Sequence, residues 1–294
     1  MEWKALISDF EIYLKLEKSL SDNTIESYIR DMHRFMEFLS IGYTTIHPDE
    51  IKLQHFNKYF IWLGELGIAA RSQARMISSI KSFFKYLVIE EIISTNPSEL
   101  LETPQLSRKL PEVLSVEEID SLEAAIDLSI SEGQRNKAII ETLYSCGLRV
   151  SELINLRMSN LHFSDNYIRV IGKGNKERLV PISNKAIKEI TLYINQYRVH
   201  NSDYVFLNHY GRKITRVMIF LIVKNLAKII GLKKNISPHT FRHSFATHLV
   251  DGGADLRVVQ EMLGHESILT TEIYTHINSQ YLRDTIEMYH PRSV

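Results

Sequence analysis

Three prolines close together divide this chain into two parts. Pro97, Pro104 and Pro111 lie within residues 95–111, with Ser, Thr, Asn and Gln among the residues between them. Proline lacks a backbone N–H and restricts the residue before it, so a segment punctuated in this way does not continue a helix. A chain of 294 residues is long enough for two domains of ordinary size. We therefore predict one domain over residues 1–106 and a second over residues 107–294.

Apolar residues recur at helical spacing throughout the first domain. The predicted helices are one within residues 1–18, one capped by Ser21 or Asp22, one opened by Pro48 and Asp49, and one over residues 71–88. Four helices joined by short connections predict a four-helix bundle.

The second domain is predicted to be larger and mainly helical. Ser115 and Glu118 have the spacing of a capping box, and a helix over 135–145 is expected to end at Gly147. The run YIRVIGKGNKERLVPI contains two alternating segments joined by a glycine-rich turn, which predicts a β-hairpin with Lys173 and Lys176 at its tip. The fold class is therefore mainly α, with a small antiparallel β-sheet in the second domain.

A candidate anion site begins at a well-marked helix start. Ser237 supplies a capping hydroxyl and Pro238 takes the first helical position. On the helix that follows, His239, Arg242 and His243 are spaced i, i+3 and i+4, so they share one face. The pattern predicts a cationic, proton-exchanging surface on this helix.

Two further short helical patterns follow that helix. Gly252 and Gly253 end it, and the run Leu256 to Leu263 ends at Gly264 and leads into His265. Tyr274 lies nine residues later. Three short helices would bring histidines, an arginine and a tyrosine together.

Composition sets limits on the class of protein. Lys+Arg and Asp+Glu both number 35, and residues 1–106 hold 11 basic and 15 acidic residues, so any nucleic-acid binding must come from local patches. Residues 66–89 form such a patch, with Arg71, Arg75, Lys81 and Lys85 and no Asp or Glu. The single cysteine, Cys146, argues against a disulfide framework. Since no signal peptide or membrane-spanning run is seen, we expect a cytoplasmic protein without membrane insertion.

Each candidate residue also has a plain structural interpretation. His239 and His243 have the spacing of a zinc helix, but residue 240 is Thr where a metalloprotease needs Glu, and His248 lies on the opposite side. We therefore expect neither a metal nor a cofactor. Arg149 could simply pair with Glu152, and Lys173 could be a solvated turn residue.

The combination of these residues favours phosphoryl-transfer chemistry. Arginine forks suit a phosphodiester that gains charge in its transition state. A tyrosine such as Tyr274 can attack phosphorus when a neighbour accepts its proton, and a lysine can protonate the departing oxygen. A covalent tyrosyl phosphate keeps the bond energy, so rejoining needs neither ATP nor metal.

Five motifs resemble those of the tyrosine recombinase (phage integrase) family, and most of all those of the bacterial Xer recombinases. They are GLRVSEL at 147–153, GKGNKERLVP at 172–181, PHTFRHSFATHL at 238–249, LGH at 263–265 and IYTH at 273–276. The resemblance implies a catalytic set made of Arg149, Lys173, His239, Arg242, His265 and Tyr274.

The resemblance assigns a role to each residue. Tyr274 would attack the scissile phosphate, Arg149 and Arg242 would bind its oxygens, and His239 would accept the tyrosine proton. His265 would hydrogen-bond the phosphate, and Lys173 rather than Lys176 would protonate the 5′-oxygen, a choice that rests on the family pattern alone. Supporting roles would fall to Glu152, His243 and Lys176.

The resemblance also implies partners. Double-stranded DNA would lie between the two domains, with Arg71, Arg75, Lys81 and Lys85 on the duplex. The amphipathic tail over residues 280–288 would pack on a neighbouring protomer in a tetrameric synapse, or else on its own domain. Related recombinases and a DNA translocase are further implied partners.

Three other functions share some of these features. A phage or transposon integrase uses the same chemistry, but often carries an additional arm-binding domain that this sequence does not show. A type IB topoisomerase fits the length and motifs less well. A non-cleaving DNA-binding accessory protein would not need the complete catalytic set. We therefore expect a site-specific recombinase that resolves chromosome or plasmid dimers through a Holliday junction at cell division.

Overall fold

Buried apolar side chains form two separate clusters, one in each half of the chain. The computed structural model describes residues 3–43, 46–104, 112–172, 176–264 and 279–292, with Ser279 and Gln280 described by their backbone only. Within it, the chain divides into two compact units, Met1–Lys109 and Leu110–Val294. The predicted boundary near residue 106 falls among residues 105–111, outside the described residues.

The first unit is built from four helices, as the apolar spacing predicts. They are α1 (Trp3–Leu16), α2 (Asp22–Gly42), α3 (Leu53–Glu65) and α4 (Ala70–Ile89). Their inward faces meet in an aromatic core in which Phe10, Phe35, Phe56, Phe83 and Phe84 are fully buried. Removing such rings from water is the main favourable term in forming the bundle.

One predicted boundary in this unit is wrong. Pro48 and Asp49 do not open α3, because Pro48–Glu50 forms a separate 3-10 turn and α3 begins at Leu53. Proline at the first position suits a 3-10 turn and an α-helix equally, since both leave that N–H unbonded. The α-helix starts where the Lys52 N–H donates to Nδ1 of His55 (2.9 Å).

The second unit is mainly helical around a three-stranded antiparallel sheet. Its helices are α5 (Val116–Ala124), α6 (Gly133–Cys146), α7 (Val150–Asn155), α8 (Asn184–Leu192), α9 (Arg216–Ile229), α10 (Pro238–Gly252), α11 (Leu256–Leu263) and α12 (Ser279–Tyr289). Its strands are β1 (Leu161–His162), β2 (Tyr167–Ile171) and β3 (Glu177–Pro181), in the order β1-β2-β3. A one-turn π-helix, Tyr193–Tyr197, continues α8.

The β-hairpin is confirmed, with β2 and β3 paired from Tyr167 opposite Pro181 to Ile171 opposite Glu177. The Gly172 N–H donates to the Lys176 carbonyl (2.8 Å) and closes the ladder at its tip. Residues 173–175 lie outside the described residues, and they include Lys173. The pairing therefore fixes both ends of the turn that carries this lysine.

The last helix packs on its own unit. Leu282 and Ile286 of α12 are buried in the core of the second unit. Beyond α12, the Arg292 guanidinium forms ion pairs with Asp120 (2.6 Å) and Glu141 (3.4 Å). Of the two places predicted for the tail, the described chain shows packing on its own domain.

No helix among the described residues is both long enough and apolar enough to cross a membrane.

Candidate active site

The first functional arginine lies at a tight connection between two helices. Helix α6 ends at Gly147, whose φ of +57° is in the left-handed region that favours glycine. A Cβ at this position would lie 2.5 Å from the Phe245 ring of α10, so the close approach of α6 to α10 also requires glycine. Two residues later, Arg149 is the N-cap of α7. The short turn between α6 and α7 therefore fixes the position of the Arg149 backbone.

A buried carboxylate holds Arg149 in place. Glu152, three residues into α7, accepts hydrogen bonds from the Arg149 backbone N–H to Oε2 (2.8 Å) and from Nη1 to Oε1 (2.9 Å). Its side chain is only 2% exposed. Burial by itself would raise the pKa of Glu152, but hydrogen bonds from Arg178 and Arg149 hold it below its ordinary value. Glu152 is therefore a carboxylate at neutral pH.

Arg242, on helix α10, also lies next to Glu152. On this helix its neighbours in sequence Phe241 and Phe245 are fully buried. Its Nη1 donates to the Gly147 carbonyl (2.7 Å) and its Nη2 donates to the Leu263 carbonyl. Burial, and then the charge of Arg149, lower the pKa of Arg242 to about 10, so it remains a cation at neutral pH.

The carboxyl end of α11 is where the arginines meet. Three consecutive carbonyls accept from three different guanidinium groups. Met262 accepts from Nε of Arg178 (3.0 Å), Leu263 accepts from Arg242, and Gly264 accepts from Nη2 of Arg149 (3.1 Å). The end of a helix carries the negative pole of its dipole, which favours cations. The chain enters His265 directly from this junction.

Positive charge exceeds negative charge among the described residues of this cluster. Three guanidinium groups surround a single carboxylate, with Nη1 of Arg242 3.9 Å from Glu152. Among the described residues, the side chains of Arg149 and Arg242 each donate two hydrogen bonds, and a guanidinium has five N–H donors. Donors thus remain for an anion such as a phosphate diester.

Not every predicted site residue can be located. His239 is exposed in the first turn of α10, three residues before Arg242, and His243 in the next turn is half-buried. Lys173, His265 and Tyr274 lie outside the described residues. Among the residues that are described, no group of three or more His, Cys, Asp or Glu side chains is arranged to hold a metal ion.

Arg178 is a further member of this cluster that the sequence motifs did not predict. This residue lies on β3 and donates to both oxygens of Glu152, Nη1 to Oε1 (2.7 Å) and Nη2 to Oε2 (2.9 Å). The available signal was the two-residue period of the strand. Val180 is fully buried, so Arg178, two residues earlier, must face the same side and needs a buried partner there.

The four residues of the predicted DNA-binding patch differ in their surroundings. Arg71 and Lys85 are exposed on α4. Lys81 donates to the Glu99 carbonyl (3.3 Å), and Arg75 pairs with the buried carboxylate of Asp31. Arg75 thus has a structural partner within the bundle.

Family models match both parts of the chain. Residues 112–281 match the model described as "Phage integrase family", and residues 7–91 match "Phage integrase, N-terminal SAM-like domain".

Similar proteins extend over nearly the whole chain. "Tyrosine recombinase XerD" of Listeria innocua is 42% identical over 294 residues, covering 98% of this chain and 99% of the relative. The protein of the same name from Chlorobaculum tepidum is 43% identical over 302 residues, covering 99% and 97%.

Solved structures of lower identity share the fold. A XerH site-specific recombinase bound to its difH substrate in a pre-cleavage complex has a TM-score of 0.67 at 23% identity, over 96% of this chain and 84% of that one. A lambda integrase (75–356) dimer bound to a COC′ core site has a TM-score of 0.72 at 16% identity, over 95% and 100%. With relatives above 40% identity over nearly its full length, the chain belongs to the tyrosine recombinases of the phage integrase family.

Proposed function

We propose that this protein is a site-specific DNA recombinase that cuts and rejoins strands through a covalent link to Tyr274. The observation that carries the proposal is the meeting of Arg149 and Arg242 at the end of α11, where they have more N–H donors than partners among the described residues. Such a pair suits a phosphodiester whose negative charge increases in the transition state. The family membership supports the rest of the catalytic set.

The proposed reaction has two balanced transfers. The Tyr274 hydroxyl oxygen bonds to the scissile phosphorus while the bond from phosphorus to the 5′-oxygen breaks. His239 accepts the tyrosine proton, and Lys173 gives a proton to the departing 5′-oxygen. His265 hydrogen-bonds the phosphate, together with Arg149 and Arg242.

Rejoining reverses these steps with a 5′-hydroxyl from another strand. That hydroxyl attacks the 3′-phosphotyrosine, and Tyr274 leaves. The number of phosphate ester bonds stays constant throughout, so the exchange needs no ATP, metal or other cofactor.

The biological role proposed is resolution of chromosome or plasmid dimers through a Holliday junction, in a tetramer of this or a related recombinase on DNA. The names of the relatives above 40% identity support this over a mobile-element integrase with the same chemistry. Arg71, Arg75, Lys81 and Lys85 are the proposed contacts of the first unit with the duplex, and a DNA translocase is a proposed regulator.

A nicked substrate tests the nucleophile. A nick placed next to the scissile phosphate lets the cleaved fragment diffuse away, so the covalent complex accumulates and migrates slowly on a denaturing gel. We expect an adduct with the wild-type chain and none with Tyr274→Phe. An adduct of normal yield from Tyr274→Phe would show that another residue is the nucleophile.

A sulfur substitution tests the acid. When sulfur replaces the 5′-bridging oxygen, the leaving group departs without a proton. We expect this substrate to restore cleavage by Lys173→Ala. Any defect of Lys176→Ala, the other lysine of the same turn, should be equally large on both substrates, because a supporting residue does not protonate the leaving oxygen. A Lys173→Ala defect of equal size on both substrates would contradict the role of Lys173 as the acid.

A further inference from the structure

Glu152 is the carboxylate at the centre of the arginine cluster, and each of its two oxygens accepts two hydrogen bonds. Oε1 accepts from Nη1 of Arg149 and from Nη1 of Arg178. Oε2 accepts from the backbone of Arg149 and from Nη2 of Arg178. The orientation of this carboxylate therefore decides where the Arg149 guanidinium points, and Arg178 fixes that orientation through a two-pronged pair.

Arg178 also reaches the end of α11. Its Nε donates to the Met262 carbonyl (3.0 Å), so three of its nitrogens are bound within the protein. Its side chain is 16% exposed, compared with 33% for Arg149. This arginine is thus directed inward toward the protein, whereas Arg149 keeps more of its surface open.

Two chain positions that lead into proposed catalytic residues lie against Arg178. A Cβ built on Gly172, directly before Lys173, would be 3.6 Å from Nη1 of Arg178. A Cβ built on Gly264, directly before His265, would be 3.2 Å from Cδ of Arg178, and Gly264 has a φ of +62°. Both backbones therefore pass close enough to Arg178 that a side chain at either position would contact it.

We propose that Arg178 is a positioning residue for strand cleavage, aligning Arg149 through Glu152 and joining strand β3 of the hairpin to the carboxyl end of α11. It does not touch the phosphate in this role. The inference rests on the proposed function, because it concerns the geometry of the same reaction.

The side chain type matters for this role. A lysine keeps the charge but offers a point donor on a flexible stem, so it cannot bind both Glu152 oxygens and the Met262 carbonyl together. If Arg178 served only to neutralise Glu152, lysine would suffice. If it served only to fill space, an uncharged side chain of similar length would suffice.

The first measurement is the rate of a single round of cleavage on the nicked substrate, together with DNA affinity. We expect Arg178→Gln to slow cleavage about 100-fold, because small misalignments of catalytic groups cost this much. Affinity should change less than about threefold, because DNA affinity comes mainly from phosphate contacts elsewhere. Arg178→Lys should remain slower than wild type by about tenfold.

A control variant separates positioning from general loss of stability. Lys234→Gln removes another partly buried ion pair of the same unit, the one between Lys234 and Glu118 (2.6 Å). We expect this variant to lower the melting temperature while leaving the cleavage rate of the folded protein near that of wild type.

A substrate with a methylphosphonate at the scissile position distinguishes misalignment of the arginines from general structural damage. The methyl group removes one negative charge from the phosphate, so alignment of the arginines contributes less to the rate. The ratio of wild-type to Arg178→Gln rates should therefore fall by about tenfold on this substrate. Simple unfolding would slow cleavage of both substrates equally.

The outcomes distinguish the two proposals. No adduct from the wild-type chain would overturn the proposed function, and this inference with it. If wild type forms the adduct, a wild-type rate in Arg178→Gln, or an equal defect on both substrates, overturns the inference alone. Should Arg178→Gln fail to fold, the lysine variant decides, and full activity of Arg178→Lys overturns the role proposed for the two-pronged pair.

Discussion

Gly147 shows how one residue without a side chain controls the placement of charged ones. It ends α6 with a left-handed φ of +57°, it lies against the Phe245 ring, and its carbonyl accepts from Arg242. All three properties depend on the absence of a Cβ or on the backbone path that this absence permits. Gly147 thereby links helix geometry to the arginine cluster.

We expect Gly147→Ala to destabilise the second unit by about 2–4 kcal/mol, from backbone strain together with the overlap with Phe245. Gly231→Ala is the matched control. Gly231 also has a positive φ (+65°) after a helix, but nothing lies within 4 Å of its Cβ position, so it should cost only about 1 kcal/mol. Denaturant unfolding measures both, and equal losses would show that the contact with Phe245 carries no cost.

The buried residue His290, in the carboxyl-terminal segment, should make the stability of the second unit depend on pH. It is 2% exposed, its ring lies against those of Tyr144 and Phe245, and its Nδ1 accepts from the Arg292 backbone N–H (3.1 Å). Burial lowers the pKa of His290 to about 4. Protonation would place a charge in a buried site and remove the acceptor at Nδ1.

The sign of the pH effect follows from this lowered pKa. Between pH 6.5 and about 4 the unfolded chain binds a proton at His290 that the folded chain does not, so stability falls as pH decreases, by at most about 1.4 kcal/mol per pH unit. Burial and Glu141 raise the pKa of nearby Glu123 to about 8, which acts in the opposite direction. Comparing wild type with His290→Phe cancels the contribution of Glu123. The variant should lose less stability on acidification, and parallel pH curves would contradict the assignment to His290.

Individual residues were predictable where their roles follow from local spacing. The pairing of Arg149 with Glu152 is an i, i+3 contact and was foreseeable. Arg178 was not foreseen, because its partner Glu152 is 26 residues away in sequence. Only the fold brings the two together.

At the scale of helices and strands, helix boundaries were predictable where the sequence has clear capping residues. Helices α10 and α11 begin and end at the residues expected from Ser237, Gly253 and Gly264, because a proline or a left-handed glycine leaves the chain few alternatives. Strand β1 was not foreseen, since two residues show no period. The π-helical turn after α8 likewise has no simple sequence signal.

Two of the four basic residues of helix α4 have different surroundings. The Arg75 side chain is 38% exposed and pairs with Asp31, whose side chain is 2% exposed and also accepts from Ser79 (2.7 Å). Lys85 is exposed on the same helix. Loss of Arg75 should therefore affect stability as well as DNA binding, whereas Lys85 tests DNA binding without a buried ion pair.

We expect Arg75→Gln to destabilise the first unit by about 2 kcal/mol, because it leaves the Asp31 charge buried, though partial exposure of Arg75 reduces the loss. Lys85→Gln should change stability by less than about 0.5 kcal/mol. If Lys85 contacts a DNA phosphate, its loss should lower the slope of log affinity against log salt by about 0.9. An unchanged slope would place the DNA away from Lys85.

For the whole molecule, the separation of the two hydrophobic clusters has a thermodynamic consequence. Each compact unit of the described chain buries its own apolar core. Residues that share one core unfold together, so each unit should unfold as its own cooperative body. We therefore expect calorimetry of the DNA-free protein to resolve two transitions. The variants above identify them, since Arg75→Gln should lower only the transition of the first unit and Gly147→Ala only that of the second. If both variants moved one common transition by the same amount, the two units would be folding as a single cooperative body.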